Sequence, residues 1–160
     1  MDTQAWLILV AVVSTGLSAG LLFGWAVSVM PGTARVADDE YIAVMQSINR
    51  AIINPFFLVP FLLSPVFLAI ASVAQFGVQE DESGWVLGAA AVVYAIGVLA
   101  VTIAGNIPLN DRLEAFDLDA ADAASASVER TSYERGWNRW HYVRTVASVT
   151  AFVLAVASAL

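Results

Sequence analysis

Cysteine and lysine are both missing from the 160 residues, and histidine occurs once, at position 141. Without cysteine there is no disulfide, no thiolate nucleophile and no cysteine-ligated zinc or iron–sulfur cluster. A lone histidine excludes a multi-histidine metal centre, and as a haem ligand it would need help from another residue type. Positive charge is scarce: seven arginines stand against fourteen carboxylates, for a formal charge of −7. Nucleic acid, whose phosphates demand cationic surface, is thereby excluded as a partner. An acidic, lysine-free, alanine- and valine-rich balance suits a high-salt cytoplasm and follows equally from codon bias.

What is abundant is apolar: 59% of residues are hydrophobic and mean hydropathy is +0.76. Four segments, 6–30, 52–76, 85–107 and 142–160, contain only one ionisable residue other than tyrosine, Arg144. Each can cross a bilayer, since about 20 residues at ~1.5 Å rise span the ~30 Å hydrocarbon layer. The expected fold is all-α, an integral membrane four-helix bundle forming one domain over 1–160. Arg35, Arg50, Arg112, Arg130, Arg135 and Arg139 all fall in the first and third connections. The ends and the second connection offer only Asp2, Glu80, Asp81 and Glu82. By the positive-inside rule the two long connections are cytoplasmic and both termini face out of the cell membrane, with helices two and four extended on the cytoplasmic side.

Local signals refine this frame. Asp2 replaces the positive n-region of a signal peptide, so the first segment reads as a retained helix. Its Gly16, Gly20 and Gly24 recur on one face and offer close helix packing. Met30-Pro31-Gly32 reads as its end, and Asp38 or Asp39 as the cap of a helix whose apolar face is Tyr41, Val44, Met45, Ile48 and Ile52. Gln46, Arg50 and Asn54 form a polar strip beside that face. Pro55, Pro60 and Pro65 require the second segment to bend or to have its freed carbonyls satisfied by neighbours. The stretch 117–127 reads as a mobile or loosely helical loop, and Thr131-Ser132-Tyr133-Glu134 as a capping box that starts the last helix near Ser132.

The topology gathers polar residues at one level: Asn49, Arg50 and Asn54; Asn106 and Asn110 around Pro108; and Trp137, His141 and Arg144, whose four-then-three spacing shares one helix face. Polar groups at membrane depth are costly unless partnered, which makes them site candidates. Each has a structural alternative: Arg144 can snorkel to the headgroups, and the asparagines can cap helix ends. No acidic residue lies in a span and no inverted repeat is evident, which weighs against transport.

The strings GLLFGWAVSVMPG (20–32), MQSINRAIINPFF (45–57), NIPLN (106–110) and WNRWHYVRT (137–145) resemble the recurring motifs of the anthrone oxygenase-like family, small four-helix membrane proteins. The likeness spans nearly the whole chain. It implies oxidation of an anthrone-like planar phenol by molecular oxygen with no cofactor and no metal. A cofactor-free oxygenase must remove a proton and hold the resulting anion. The physical assignment is His141 as base, Arg50 and Arg144 as enolate stabilisers, Asn49, Asn54, Asn106 and Asn110 as orienting groups, and Trp137 and Trp140 as aromatic walls. Partners are then membrane lipids and a lipophilic small molecule; nothing in the pattern names an oligomeric partner. The alternative is a non-enzymatic membrane protein that binds a lipid or quinone-like ligand, or a small subunit of a membrane complex.

The absence of cysteine makes orientation simple to test. Thr3→Cys and Leu160→Cys should react with an impermeant maleimide on intact cells, and Ala124→Cys only after lysis. The reverse pattern inverts the topology.

Overall fold

The computed structural model describes residues 2–76 and 82–160; Glu80 and Asp81, placed above in the second connection, lie outside the described residues. Five helices account for most of the chain: α1 (Thr3–Thr33), α2 (Asp38–Ala51), α3 (Pro55–Phe76), α4 (Ser83–Glu114) and α5 (Ala123–Ala157). All but α2 are long and apolar enough to cross a membrane. Among the described residues there is no strand.

The four long helices form a ring in which α1 packs on α3 and α5, and α4 packs on α3 and α5. Over Thr3–Gly24 of α1 the buried residues are Ala11, Ser14, Thr15, Ser18, Ala19 and Leu22, one stripe at helical spacing. Small side chains make this stripe, so the helices approach closely without relying on its glycines. Of the three glycines expected at the seam only Gly16 meets a neighbour, Phe152; Gly20 and Gly24 open onto empty space. The glycines that do matter lie on α4. A Cβ on Gly97 would collide with that of Ala147, and one on Gly105 would sit 2.5 Å from the Trp140 ring.

Below the ring, at its arginine-bearing end, α2 lies against the first half of α5 and the end of α4. Its buried face is Tyr41, Ile42 and Met45, while Val44, expected inside, is exposed. These residues join Met30, Leu113, Ala126, Tyr133 and Trp137 in a second apolar cluster. Burial pushes the Tyr41 phenol above its ordinary range, aided by Glu134. Arg130 clamps this layer. Its guanidinium donates to the carbonyls of Ala34 (3.1 Å) and Val36 (2.7 Å) after α1, pairs with Asp38 and Glu134, and lies over the Tyr41 ring. A cation at a helix C-terminus is favoured by the exposed carbonyls there.

Three sequence expectations are corrected. Helix α5 starts at Ala123, nine residues before Ser132, because Asp122 caps it by accepting from the Ser125 amide at 2.8 Å. The Ser125 hydroxyl, and after it that amide bond, hold the Asp122 carboxyl below its usual range. Of the stretch 117–127 read as a mobile or loosely helical loop, 117–122 is turn and coil, while 123–127 is good helix-forming sequence whose Ala126 buries on the second cluster. Pro31 does not end α1: a π turn over Trp25–Val29, closed by Met30 N–H to the Trp25 carbonyl, precedes it and the helix continues to Thr33. Pro108 is likewise preceded by a π turn over Thr102–Asn106, closed by Ile107 N–H to the Thr102 carbonyl.

At Pro65 the proline-rich helix α3 meets the requirement set by its sequence. Pro65 leaves the Phe61 carbonyl without its helical donor, and the buried Tyr94 hydroxyl of α4 donates to that oxygen at 3.0 Å. Tyr94→Phe should therefore destabilise the bundle by about 1 kcal/mol. In a Pro65→Ala background, where an amide is restored, the same change should cost less. Equal losses in both backgrounds, measured by unfolding in detergent, would show that the two are not coupled.

Candidate functional site

Where the ring meets the lower layer, α3 and the end of α4 diverge and leave a cavity of about 480 Å³. Its walls are mostly aliphatic and aromatic, from Leu21, Leu22 and Trp25 on α1, Phe57, Phe61 and Leu62 on α3, and Leu99, Ile103 and Ile107 on α4. Leu62 and Ile103 at the rim are exposed, on the lipid-facing side of two candidate spans. Polar groups enter from α5 and from the helix ends: His141, Arg144, Thr102, Asn110, Asn49, Arg50, Asp111 and Glu114.

Arg144 and His141 form the inner end. Arg144 is 8% exposed, and its guanidinium lies 5.0 Å above the Trp137 ring, donates from Nε to His141 Nδ1 at 3.2 Å and reaches Thr102 Oγ1 at 3.4 Å. Among the described residues no carboxylate pairs with it, although Arg50, Arg112 and Arg130 all have acidic partners. Because Arg144 can only donate, His141 Nδ1 is the acceptor, so the proton of the neutral ring sits on Nε2 and is donated to the Leu22 carbonyl at 3.0 Å. The His141 ring stacks on Trp137 at 4.8 Å with 9° between planes, and Trp25 lies 5.9 Å from Trp137. Trp137 is thus interior to an aromatic stack, with little of its own face bare.

Asn110 sits at the edge of that stack. Its Oδ1 accepts from Trp137 Nε1 at 2.8 Å and from the Tyr133 hydroxyl at 3.0 Å. Asn49 Nδ2 donates in turn to that hydroxyl at 3.3 Å. So Asn49, Asn110, Trp137, His141 and Arg144 are brought together as expected.

The remaining predicted residues serve other ends. Arg50 is exposed at the cavity mouth and bound to Glu114 at 2.6 Å, which leaves it no free charge for an enolate deep inside. Asn54 caps α3: its Oδ1 accepts from Phe57 N–H at 3.1 Å and Pro55 follows at the first helical position. Gln46, its neighbour on the polar strip, binds the Leu113 and Phe116 carbonyls at the end of α4. Asn106 is buried and donates to the Trp137 carbonyl, away from the cavity wall. Trp140 packs on Gly105 and does not line the cavity.

Trp25, Thr102 and Tyr133 were not anticipated. The two prolines that follow the π turns were the available signal for Trp25 and Thr102, and Tyr133 was concealed within an apparent capping box. Among the described residues no three His, Asp or Glu side chains converge, so no set of metal ligands can be named.

The sequence profile of the family described as anthrone oxygenase matches residues 43–154, most of the chain and all of the cavity-lining positions from Ile48 onward. No curated protein and no solved structure matches. The profile runs from within α2 through α3 and α4 to near the end of α5, and with the four apolar helices it makes this chain a membrane protein of the anthrone oxygenase family.

Proposed function

We propose that the protein oxidises a planar, lipophilic phenol or enol with molecular oxygen inside the membrane. The observation that carries this reading is Arg144: a buried guanidinium without a carboxylate partner among the described residues, at the inner end of an apolar cavity. An unpaired buried charge is strongly unfavourable, and a ligand bearing an anionic oxygen on a hydrocarbon body relieves it while filling the cavity. Family membership supplies the reaction class.

In this reading the substrate carries a CH₂ group whose deprotonation gives an enolate. Arg144 holds the enolate oxygen, so charge that develops on ionisation meets a donor already in place. The electron-rich carbon transfers one electron to dioxygen, and recombination of the resulting pair forms a peroxide. Loss of water then leaves a carbonyl, so that CH₂ and O₂ become C=O and H₂O. The substrate itself provides the electrons, and the protein provides orientation, a cation and exclusion of bulk water.

His141 has a narrower part than a free base would have. Both ring nitrogens are engaged, Nδ1 by Arg144 and Nε2 by Leu22. Its first role is to aim the guanidinium. Nδ1 becomes available to take the substrate proton only when a ligand oxygen replaces it as the acceptor for Arg144. The same full engagement favours the second reading, a protein that binds a lipophilic aromatic or quinone-like molecule and releases it unchanged.

Arg144→Gln should lower oxygen uptake with anthrone-type phenols by about 10²-fold or more, and Arg144→Lys should fail to restore it, since an ammonium cannot reach His141, Thr102 and a ligand in one plane. Arg50→Gln should change turnover by less than about 3-fold, as expected of an exposed ion pair. Wild-type uptake in Arg144→Gln would remove the mechanism. A planar aromatic that copurifies with the protein but consumes no oxygen would establish the binding role instead.

A further inference from the structure

We infer that the cavity has a second recognition point, the Nδ2 amide of Asn110, which selects ligands carrying a neutral carbonyl-type oxygen at the far end of the ring system from the anionic oxygen held by Arg144. This rests on reading the cavity as a ligand site and adds the chemical pattern the ligand must present.

The orientation of the Asn110 carboxamide is fixed by chemistry. Indole Nε1 is a donor and never an acceptor, so the Asn110 atom 2.8 Å from Trp137 Nε1 is the oxygen. The Tyr133 hydroxyl, already accepting from Asn49, uses its own proton on that same oxygen. Both lone pairs of Oδ1 are therefore occupied. The Nδ2 group, with two N–H donors, has no partner among the described residues, and Asn110 lines the cavity on the same face of α4 as Ile103 and Ile107.

Asn138 does not line the cavity, and the other three asparagines differ from Asn110. Asn49 spends its amide on Tyr133, Asn54 bonds the Ala51 carbonyl, and Asn106 bonds the Trp137 carbonyl. Only Asn110 combines a locked oxygen with an unengaged amide at the cavity wall.

Trp137 sets the spacing between the two recognition points. The guanidinium of Arg144 lies over the indole face while Asn110 is bound at its Nε1 edge. A ligand that serves both must be a rigid body that reaches from above the indole face to its Nε1 edge, with an anionic oxygen at one end and a neutral acceptor at the other. Tyr133 is then a positioning residue, since it touches Asn110 and not the ligand. A site built to hydrogen-bond an oxygen rejects the analogue that lacks it, because its donor is left unpaired.

The test is equilibrium binding to the full chain in nanodiscs, read by the fluorescence of 6-acetonyl-2-naphthol and 6-isobutyl-2-naphthol, each corrected for membrane partition. The two probes share shape and differ in a carbonyl that a methylene separates from the ring, so the naphthol is equally acidic in both. Wild-type protein should favour the acetonyl compound by about tenfold. Asn110→Asp keeps both acceptor contacts with Tyr133 and Trp137 but removes the N–H donor, and should abolish the preference. The ratio within one protein is the readout, so general weakening by the new carboxylate cancels. Asn110→Ala should give the same ratio if that charge prevents binding altogether. Tyr133→Phe should reduce the preference only partly, and Arg144→Gln should weaken both probes alike. A preference that survives in Asn110→Asp and Asn110→Ala, or its absence from wild type with both probes bound, would overturn the second recognition point. Failure of wild type to bind either probe would overturn the ligand-site reading itself.

Discussion

A guanidinium taken out of water without a carboxylate beside it is the constraint around which this end of the bundle is organised. Removing such a charge from water costs several kcal/mol even after local relaxation. Arg144 is offset by the Trp137 face, by His141 Nδ1 and by Thr102, none of which carries a formal negative charge. Each of those groups must itself be held in place. Trp137 is fixed by Asn110, His141 by the Leu22 carbonyl, and Thr102 by the π turn that begins with it. One buried charge thus ties α1, α4 and α5 together at a single level.

Two of the three π turns, the third being Ala95–Ala100 within α4, are the backbone counterpart of that arrangement. A proline cannot donate to the carbonyl four residues earlier, and in both α1 and α4 the chain widens by one residue just before its proline. The closing bonds run from Met30 to Trp25 and from Ile107 to Thr102. These two turns flank Arg144, and both Trp25 and Thr102 line the cavity. Single-turn π segments within α-helices are enriched at functional sites. Pro65 solves the same problem differently, through Tyr94, because it lies where α3 and α4 are in contact and a side chain from across the interface can reach.

How much of this was legible follows from the range over which each signal acts. The four spans are set by composition over about twenty residues, and no local detail displaces them. The Trp137, His141 and Arg144 constellation was readable because three and four residue steps on an uninterrupted helix fix a common face. Arg50 and Asn54 misled for a different reason. Their depth was judged from the chain alone, whereas Glu114, sixty-four positions away, pairs with one, and the break at Ile52–Asn54 turns the other into a cap. The start of α5 was a competition between two capping signals, decided by Ala126 burying against α2's layer. Periodicity could not place the π turns, because it assumes a constant number of residues per turn, and the prolines after two of them were the remaining signal.

The chemistry of the cavity follows from combining a charge with an apolar wall. A small hydrophilic anion would satisfy Arg144 but would have to surrender its hydration to sit among Leu21, Phe61, Leu99 and Ile103. A neutral hydrocarbon would fill the volume and leave the guanidinium as costly as before. Only a ligand that meets both conditions gains from both, and it meets the second before the first if it arrives from the lipid side, past Leu62 and Ile103. The proposed enol or phenol substrate fits that sequence: neutral while it partitions into the bilayer, and anionic once a proton is lost beside Arg144. In the reaction proposed above, the step that makes such a ligand bind tightly would also make it electron-rich, so binding and activation toward oxygen would be one event at one side chain.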